Sequence, residues 1–219
     1  MNHPIEHLEQ IMTKLRDPEG GCPWDLKQNF ETIVPHTIEE TYEVVDAIHN
    51  KDWPNLQEEL GDLLFQVIFY SQLAKEQGLF EFSDVVDGIN EKLTRRHPHV
   101  FGSTTVNSSG DVVQNWEAIT AAERAAKADS ATIIKDEFDE GPLAMPALTR
   151  AHKIGRPAMK QGWQVPDAAG AFATWQQTPN RSTLGDLLLS LTMSAREQKE
   201  EAEVLLQDAV KRLVAQQRG

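Results

Sequence analysis

Apolar residues in this chain recur at spacings of three and four, and no segment alternates apolar and polar residues with a convincing period of two. The first pattern belongs to amphipathic helices and the second to half-buried strands, so the fold class expected is all-α. Ile5, Leu8, Ile11, Met12 and Leu15 mark a first helix, stopped by the breaker run Asp17-Pro18-Glu19-Gly20-Gly21. Cys22-Pro23-Trp24-Asp25 reads as a short turn. A second helix opens at His36 or Thr37 and runs through Ile38, Tyr42, Val45 and Ile48. A third spans about 56–76 and stops at Gly78, and a fourth is capped by Ser83 or Asp84 and ends near Arg96.

Beyond the fourth helix the composition changes. Residues 103–111 are rich in Ser, Thr, Gly and Asn and read as a loop; residues 116–128 read as helix. The acidic stretch 131–141 reads as a mobile linker. The expected division is a first domain over 1–102, a helical and flexible linker over 103–140, and a second domain over 141–219.

Length and charge narrow the classes of partner. A chain of 219 residues has room for one or two domains and a core that needs no staples. Its 34 acids against 21 bases give a net charge of −13, which excludes a general coat for nucleic acid or for anionic lipid. A single polyphosphate held through a metal ion is compatible with that charge. The lone Cys22 rules out an internal disulfide and suits a reducing compartment. The N-terminus has no secretory pattern, and the most apolar run, 63–70, is far short of the ~20 residues that span a bilayer. The expectation is a soluble, cytoplasmic protein.

Two halves of the chain echo each other. Glu59-Leu60-Gly61-Asp62-Leu63-Leu64 returns as Thr183-Leu184-Gly185-Asp186-Leu187-Leu188, 124 residues on, with Val67 matched by Leu191 and Phe69 by Met193. The expectation is a duplicated helical bundle.

The chemistry concentrates in carboxylates. Glu39, Glu40 and Glu43 project within roughly a 100° arc of one helix. Glu59 and Asp62 lie one turn apart on the next helix, which a short connection makes an antiparallel neighbour. Packed against each other, such acids repel and lose hydration, and a divalent cation removes both penalties. The donors are all hard oxygens, so Mg²⁺ or Mn²⁺ fits better than Zn²⁺. A di-iron bundle needs Glu-x-x-His, which neither helix supplies. Taken singly, each acidic pair also reads as dipole complement or solvated face.

Asn90, Lys92, Arg95 and Arg96 make a basic helix end in an acidic chain. It reads equally as a complement to the helix dipole and as a clamp for phosphate. His97-Pro98-His99 reads as a structural loop before it reads as a metal pair. Trp24 reads as a plug in the bundle or a stacking surface for a base.

At these residues the sequence resembles the MazG family of nucleoside triphosphate pyrophosphohydrolases. The likeness runs from Ile5 to Gly102 through Leu15-Arg16-Asp17-Pro18, Gly21-Cys22-Pro23-Trp24-Asp25, Glu39-Glu40-Thr41-Tyr42-Glu43, Glu59-Leu60-Gly61-Asp62-Leu63-Leu64 and Lys92-Leu93-Thr94-Arg95-Arg96-His97-Pro98-His99-Val100-Phe101-Gly102. Asn115-Trp116-Glu117 with Glu123-Arg124 resembles the segment joining the two domains of long members. The resemblance implies an all-α bundle that forms a homodimer and hydrolyses NTPs or dNTPs to monophosphate and pyrophosphate. It implies Glu40, Glu43, Glu59 and Asp62 as metal ligands, and Glu39 as the group that holds or activates the attacking water. It implies Asn90, Lys92, Arg95 and Arg96 as triphosphate contacts; Trp24, in its stacking reading, is expected on the substrate side.

The second half departs from that pattern. Residues 148–151 and 160–163 resemble the opening of the family's second domain, but 171–180 carry no carboxylate, Thr183 replaces the next glutamate, and only Asp186 remains. With Pro179 breaking the helix, the second copy is expected to be catalytically dead, kept for packing or dimerisation. The alternative to an enzyme is a non-catalytic nucleotide-binding or partner-binding regulatory protein descended from one.

Overall fold

A computed structural model describes residues 3–106, 108–130, 142, 144–165 and 167–218. The acidic stretch 131–141 lies outside the described residues. Among the described residues the regular structure is entirely helical. No helix among them is long and apolar enough to cross a membrane. The chain divides into two compact units, Met1–Glu123 and Arg124–Gly219.

The first unit begins with α1, Pro4–Leu15, whose cap is reciprocal: the His3 N–H donates to Glu6 at 3.1 Å. The breaker run then turns the chain sharply back. The Cys22 N–H reaches the Leu15 carbonyl at 2.8 Å, and a Cβ on Gly21 would lie 2.3 Å from that same oxygen, so only glycine fits there. A short 3₁₀ turn, Asp25–Lys27, leads to α2, Phe30–Asn50.

α2 starts well before the expected His36 or Thr37. Asn29 caps it, accepting from the Thr32 N–H at 2.9 Å, while Thr32 Oγ1 accepts from the Asn29 N–H at 2.9 Å. Pro35 therefore sits inside the helix rather than at its edge. It removes one intrahelical donor, and the fully buried Ile33 and the strong cap hold the turn regardless.

Lys51, in the left-handed conformation with φ 56°, and the cap Asp52 are all that separate α2 from α3, Trp53–Glu76. The two helices are antiparallel: far from the link, Thr37 Oγ1 meets the Tyr70 hydroxyl at 2.9 Å. Gly78, with φ +65°, ends the turn after α3, as its position in the sequence implies. α4 is Phe82–Arg96. Its cap is Glu81, whose N–H donates to Asp84 at 2.9 Å, so Ser83 and Asp84 lie in the first turn instead of capping it. α5, Pro98–Phe101, is one turn, and α6, Ser109–Ser130, takes in the end of the expected loop.

Met12, Ile33, Ile68, Phe69 and Leu73 form the core of this unit, ringed by Ile5, Leu8, Phe30, Phe65, Tyr70 and Phe82. Arg16 ties α1 and the 3₁₀ turn to α3. It donates to Glu76 at 2.8 and 2.6 Å, to the carbonyls of Asp25 and Gln28, and lies 5.5 Å over the Phe69 ring.

The second unit contains α7, Ala147–Lys160; α8, Ala168–Gln177; α9, Arg181–Glu197; and α10, Ala202–Arg218. α9 packs against the other three. Pro179 falls in the gap between α8 and α9, and Asn180 caps α9 by accepting from the Ser182 and Thr183 N–H groups. Arg196 donates to the His152 carbonyl at 2.8 Å, joining α9 to α7.

Burial repeats with the sequence echo. Gln66, Ile68, Phe69 and Ser71 of α3 are buried, and so are Ser190, Thr192, Met193 and Ala195 of α9, at the same offset of 124. Leu60, Leu64 and Val67 are exposed on α3, and their counterparts Leu184, Leu188 and Leu191 are exposed on α9.

Candidate functional site

The α2–α3 hairpin brings acids from both helices together. One carboxylate oxygen from each of Glu40, Glu43 and Glu59 lies within 4.8 Å of the other two. The reason is local: Glu40 and Glu43 are nearly a turn apart on α2, and the two-residue link sets Glu59 of α3 opposite them.

The group is electrostatically uncomfortable. Loss of hydration raises the Glu40 carboxyl first, and the Asp62 and Glu43 charges push it further. Glu59 is raised by the same loss of hydration and then by Glu43, with a hydrogen bond to Asn55 acting against the rise. Asp62 thus adds to the negative field on Glu40 and Glu59 while standing outside the tight trio. Three hard oxygen donors in mutual repulsion suit a divalent cation of the Mg²⁺ or Mn²⁺ type.

Glu39 is separate. Its side chain is 63% exposed and its carboxylate lies 3.7 Å from His36 Nδ1. His36 in turn meets Trp24 edge-on, with ring centroids 5.7 Å apart. Trp24 is 51% exposed, so it does not plug the bundle.

On α4, Asn90 and Lys92 are exposed. Arg95 and Arg96 converge on one carboxylate that the sequence reading did not single out as a site residue, Glu123 of α6. Arg95 Nε donates to Oε1 at 2.8 Å, and Arg96 Nη2 donates to Oε2 at 2.6 Å. Those two guanidiniums hold the Glu123 carboxyl down at about 2. Arg96 also lies 5.3 Å over the Trp116 ring. A trace of this arrangement exists in the sequence, since Trp116 and Glu123 fall two turns apart on one helix face. His97 Nδ1 meets the Leu93 carbonyl at 2.7 Å, which closes the end of α4, and its ring lies 5.7 Å from that of His99.

An antiparallel helical hairpin with a carboxylate trio across it could hold a divalent cation, and the basic helix end that follows has the charge and fork geometry that suit a phosphate group. The family model described as the MazG nucleotide pyrophosphohydrolase domain matches residues 28–101, which contain that hairpin and the basic end. The chain is 42% identical over 221 residues to a nucleoside triphosphate pyrophosphohydrolase of Escherichia coli (strain K12), a match covering 94% of this chain and 82% of that one. It is 38% identical over 221 residues to the nucleoside triphosphate pyrophosphohydrolase/pyrophosphatase MazG of Thermotoga maritima, covering 96% of this chain and 82% of that one. A crystal structure of a mazG-related protein from Thermotoga maritima is 27% identical, with a TM-score of 0.45, covering 53% of this chain and 98% of that chain. This chain belongs to the MazG family.

Proposed function

We propose that this protein hydrolyses nucleoside triphosphates to the monophosphate and pyrophosphate, with divalent-metal help, at a site in the first unit. The observation that carries the reading is the trio Glu40, Glu43 and Glu59, whose oxygens share one 4.8 Å neighbourhood. These three, with Asp62, would hold Mg²⁺ or Mn²⁺. Such an ion, when bound, polarises phosphoryl oxygens and lowers the pKa of a coordinated water.

The chain's own residues supply the rest. Glu39, outside the trio and exposed, accepts the proton as water adds to the α-phosphorus and the α–β anhydride bond breaks. Asn90, Lys92, Arg95 and Arg96 bind the triphosphate and offset the charge that builds on the leaving pyrophosphate. Trp24, exposed beside His36, offers an aromatic surface to the nucleoside.

The second unit is proposed to be a duplicate that no longer catalyses. Its α8 has no acid facing α9, and Asp186 alone remains of the motif. The repeated burial pattern of α3 and α9 supports descent from one bundle. The first unit is proposed to form a homodimer. Val85, Ile89 and Leu93 make a solvent-exposed apolar stripe on α4, a helix with no buried residue.

The test is a panel of NTPs and dNTPs with Mg²⁺ and pyrophosphate detection. Pyrophosphate release supports the reading. Release of orthophosphate alone, or no turnover with any nucleotide, overturns it, and tight nucleotide binding without turnover would favour a regulatory descendant.

A further inference from the structure

Neighbouring residues on a helix point about 100° apart, yet Arg95 and Arg96 both turn to one carboxylate. Arg95 commits Nε and Nη2 to Glu123 Oε1, each at 2.8 Å. Arg96 commits Nε, at 3.2 Å, and Nη2, at 2.6 Å, to Oε2. Among the described residues, no bond occupies Nη1 of either arginine. The Trp116 ring covers one face of the Arg96 guanidinium, whose side chain is 17% exposed, while the Arg95 side chain is 54% exposed. One anion thus holds two cations side by side and leaves one positive charge over.

We infer that Glu123, backed by Trp116, is a positioning residue that holds Arg95 and Arg96 together as one preformed polyphosphate receptor. This rests on the proposed role of the arginine pair toward a triphosphate. Two long side chains carry large rotamer entropy, and two guanidiniums repel. Glu123 removes both costs before the anion arrives, and because its bonds use Nε and Nη2, the Nη1 side of each guanidinium is left to donate. Glu123 reaches the anion only through the arginines.

The opposite idea is that Glu123 competes with phosphate, and the two make contrary predictions. Inorganic tripolyphosphate is titrated calorimetrically, with Mg²⁺ present, into the wild type, E123Q and W116L, with helical content and melting temperature recorded for each. Positioning predicts that E123Q weakens tripolyphosphate binding about tenfold and W116L weakens it less. In turnover, the same variants raise KM by a larger factor than they lower kcat, a split that general loss of structure does not produce. Equal or tighter binding by E123Q overturns the inference, as does a wild type that binds no tripolyphosphate. Should E123Q fail to fold, W116L decides alone, weaker binding supporting positioning and unchanged binding overturning it. A wild type without pyrophosphate release whose E123Q variant still loses tripolyphosphate affinity sinks the proposed function and keeps the positioning role. Turnover with unchanged KM in E123Q does the reverse.

Discussion

Glu43 on α2 and Glu59 on α3 hold carboxylate oxygens within 4.8 Å of each other across the hairpin, with Glu40 completing the trio. Nothing basic in the described residues is bonded to them, so the fold maintains this repulsion at its own expense. Helix periodicity and a two-residue link bring the charges together, and a cation would relieve them.

The first prediction concerns that relief. Mg²⁺ or Mn²⁺ should raise the melting temperature of the wild type, and E59Q should abolish the rise. Without metal at neutral pH, E59Q should melt no lower than the wild type. The pH dependence follows in sign: a carboxyl raised in the folded state favours folding below its ordinary value of 4.5, and that benefit is lost as pH rises through the folded value. The gap between E59Q and the wild type should therefore close as pH falls below 4.5. Fluorimetric melting across pH, with and without metal, checks both statements.

Glu39 should behave differently from the trio. Because its carboxylate lies beside His36 and outside the shared neighbourhood, E39Q should keep the metal-induced shift in melting temperature. Turnover should fall about a hundredfold, the range for loss of a general base. An equal loss of the metal shift would move Glu39 into the ligand set.

The tie between α4 and α6 should resist acid. The Glu123 carboxyl is depressed to about 2, so its contribution is complete above the ordinary value of 4.5 and disappears as pH falls toward 2. The melting difference between wild type and E123Q should be constant from neutral pH to about 4.5 and vanish near 2. A difference that fades between pH 6 and 5 would contradict the double arginine grip.

Arg16 should be structural and not replaceable by lysine. Its side chain is 8% exposed and serves Glu76 and two backbone carbonyls at once, a fork that an ammonium cannot copy. R16K should lower stability by about 2 kcal/mol, the range for charged hydrogen bonds. Urea unfolding followed by circular dichroism measures it.

The apolar stripe of α4 should lie in a self-association surface. Ile89 is 43% exposed among Val85 and Leu93. I89D should convert a dimer to a monomer in sedimentation velocity while leaving helical content unchanged, because Ile89 is exposed on a helix that buries no residue in its own unit. A wild type that sediments as a monomer would remove the dimer from the proposal.

The helical class, the carboxylate spacing and the echo at offset 124 are legible in the sequence because each depends on neighbours within a turn or two. Periodicity of 3.6 places Glu40 with Glu43, and a two-residue link leaves little choice about what faces them. Helix starts are less legible. The second helix reads as opening at His36 or Thr37 until Asn29 and Thr32 are seen bonding each other, and Ser83 and Asp84 read as caps until Glu81 takes that role. What only the tertiary structure decides is which distant partner a charged side chain finds. Arg16 meets Glu76 across 60 positions and Arg95 meets Glu123 across 28. No local pattern encodes such a pairing, since an arginine reaches any acid that packing brings near it. The sequence determines that this chain carries a basic helix end and an acidic hairpin; packing determines that the basic end is held in place by Glu123 and Trp116.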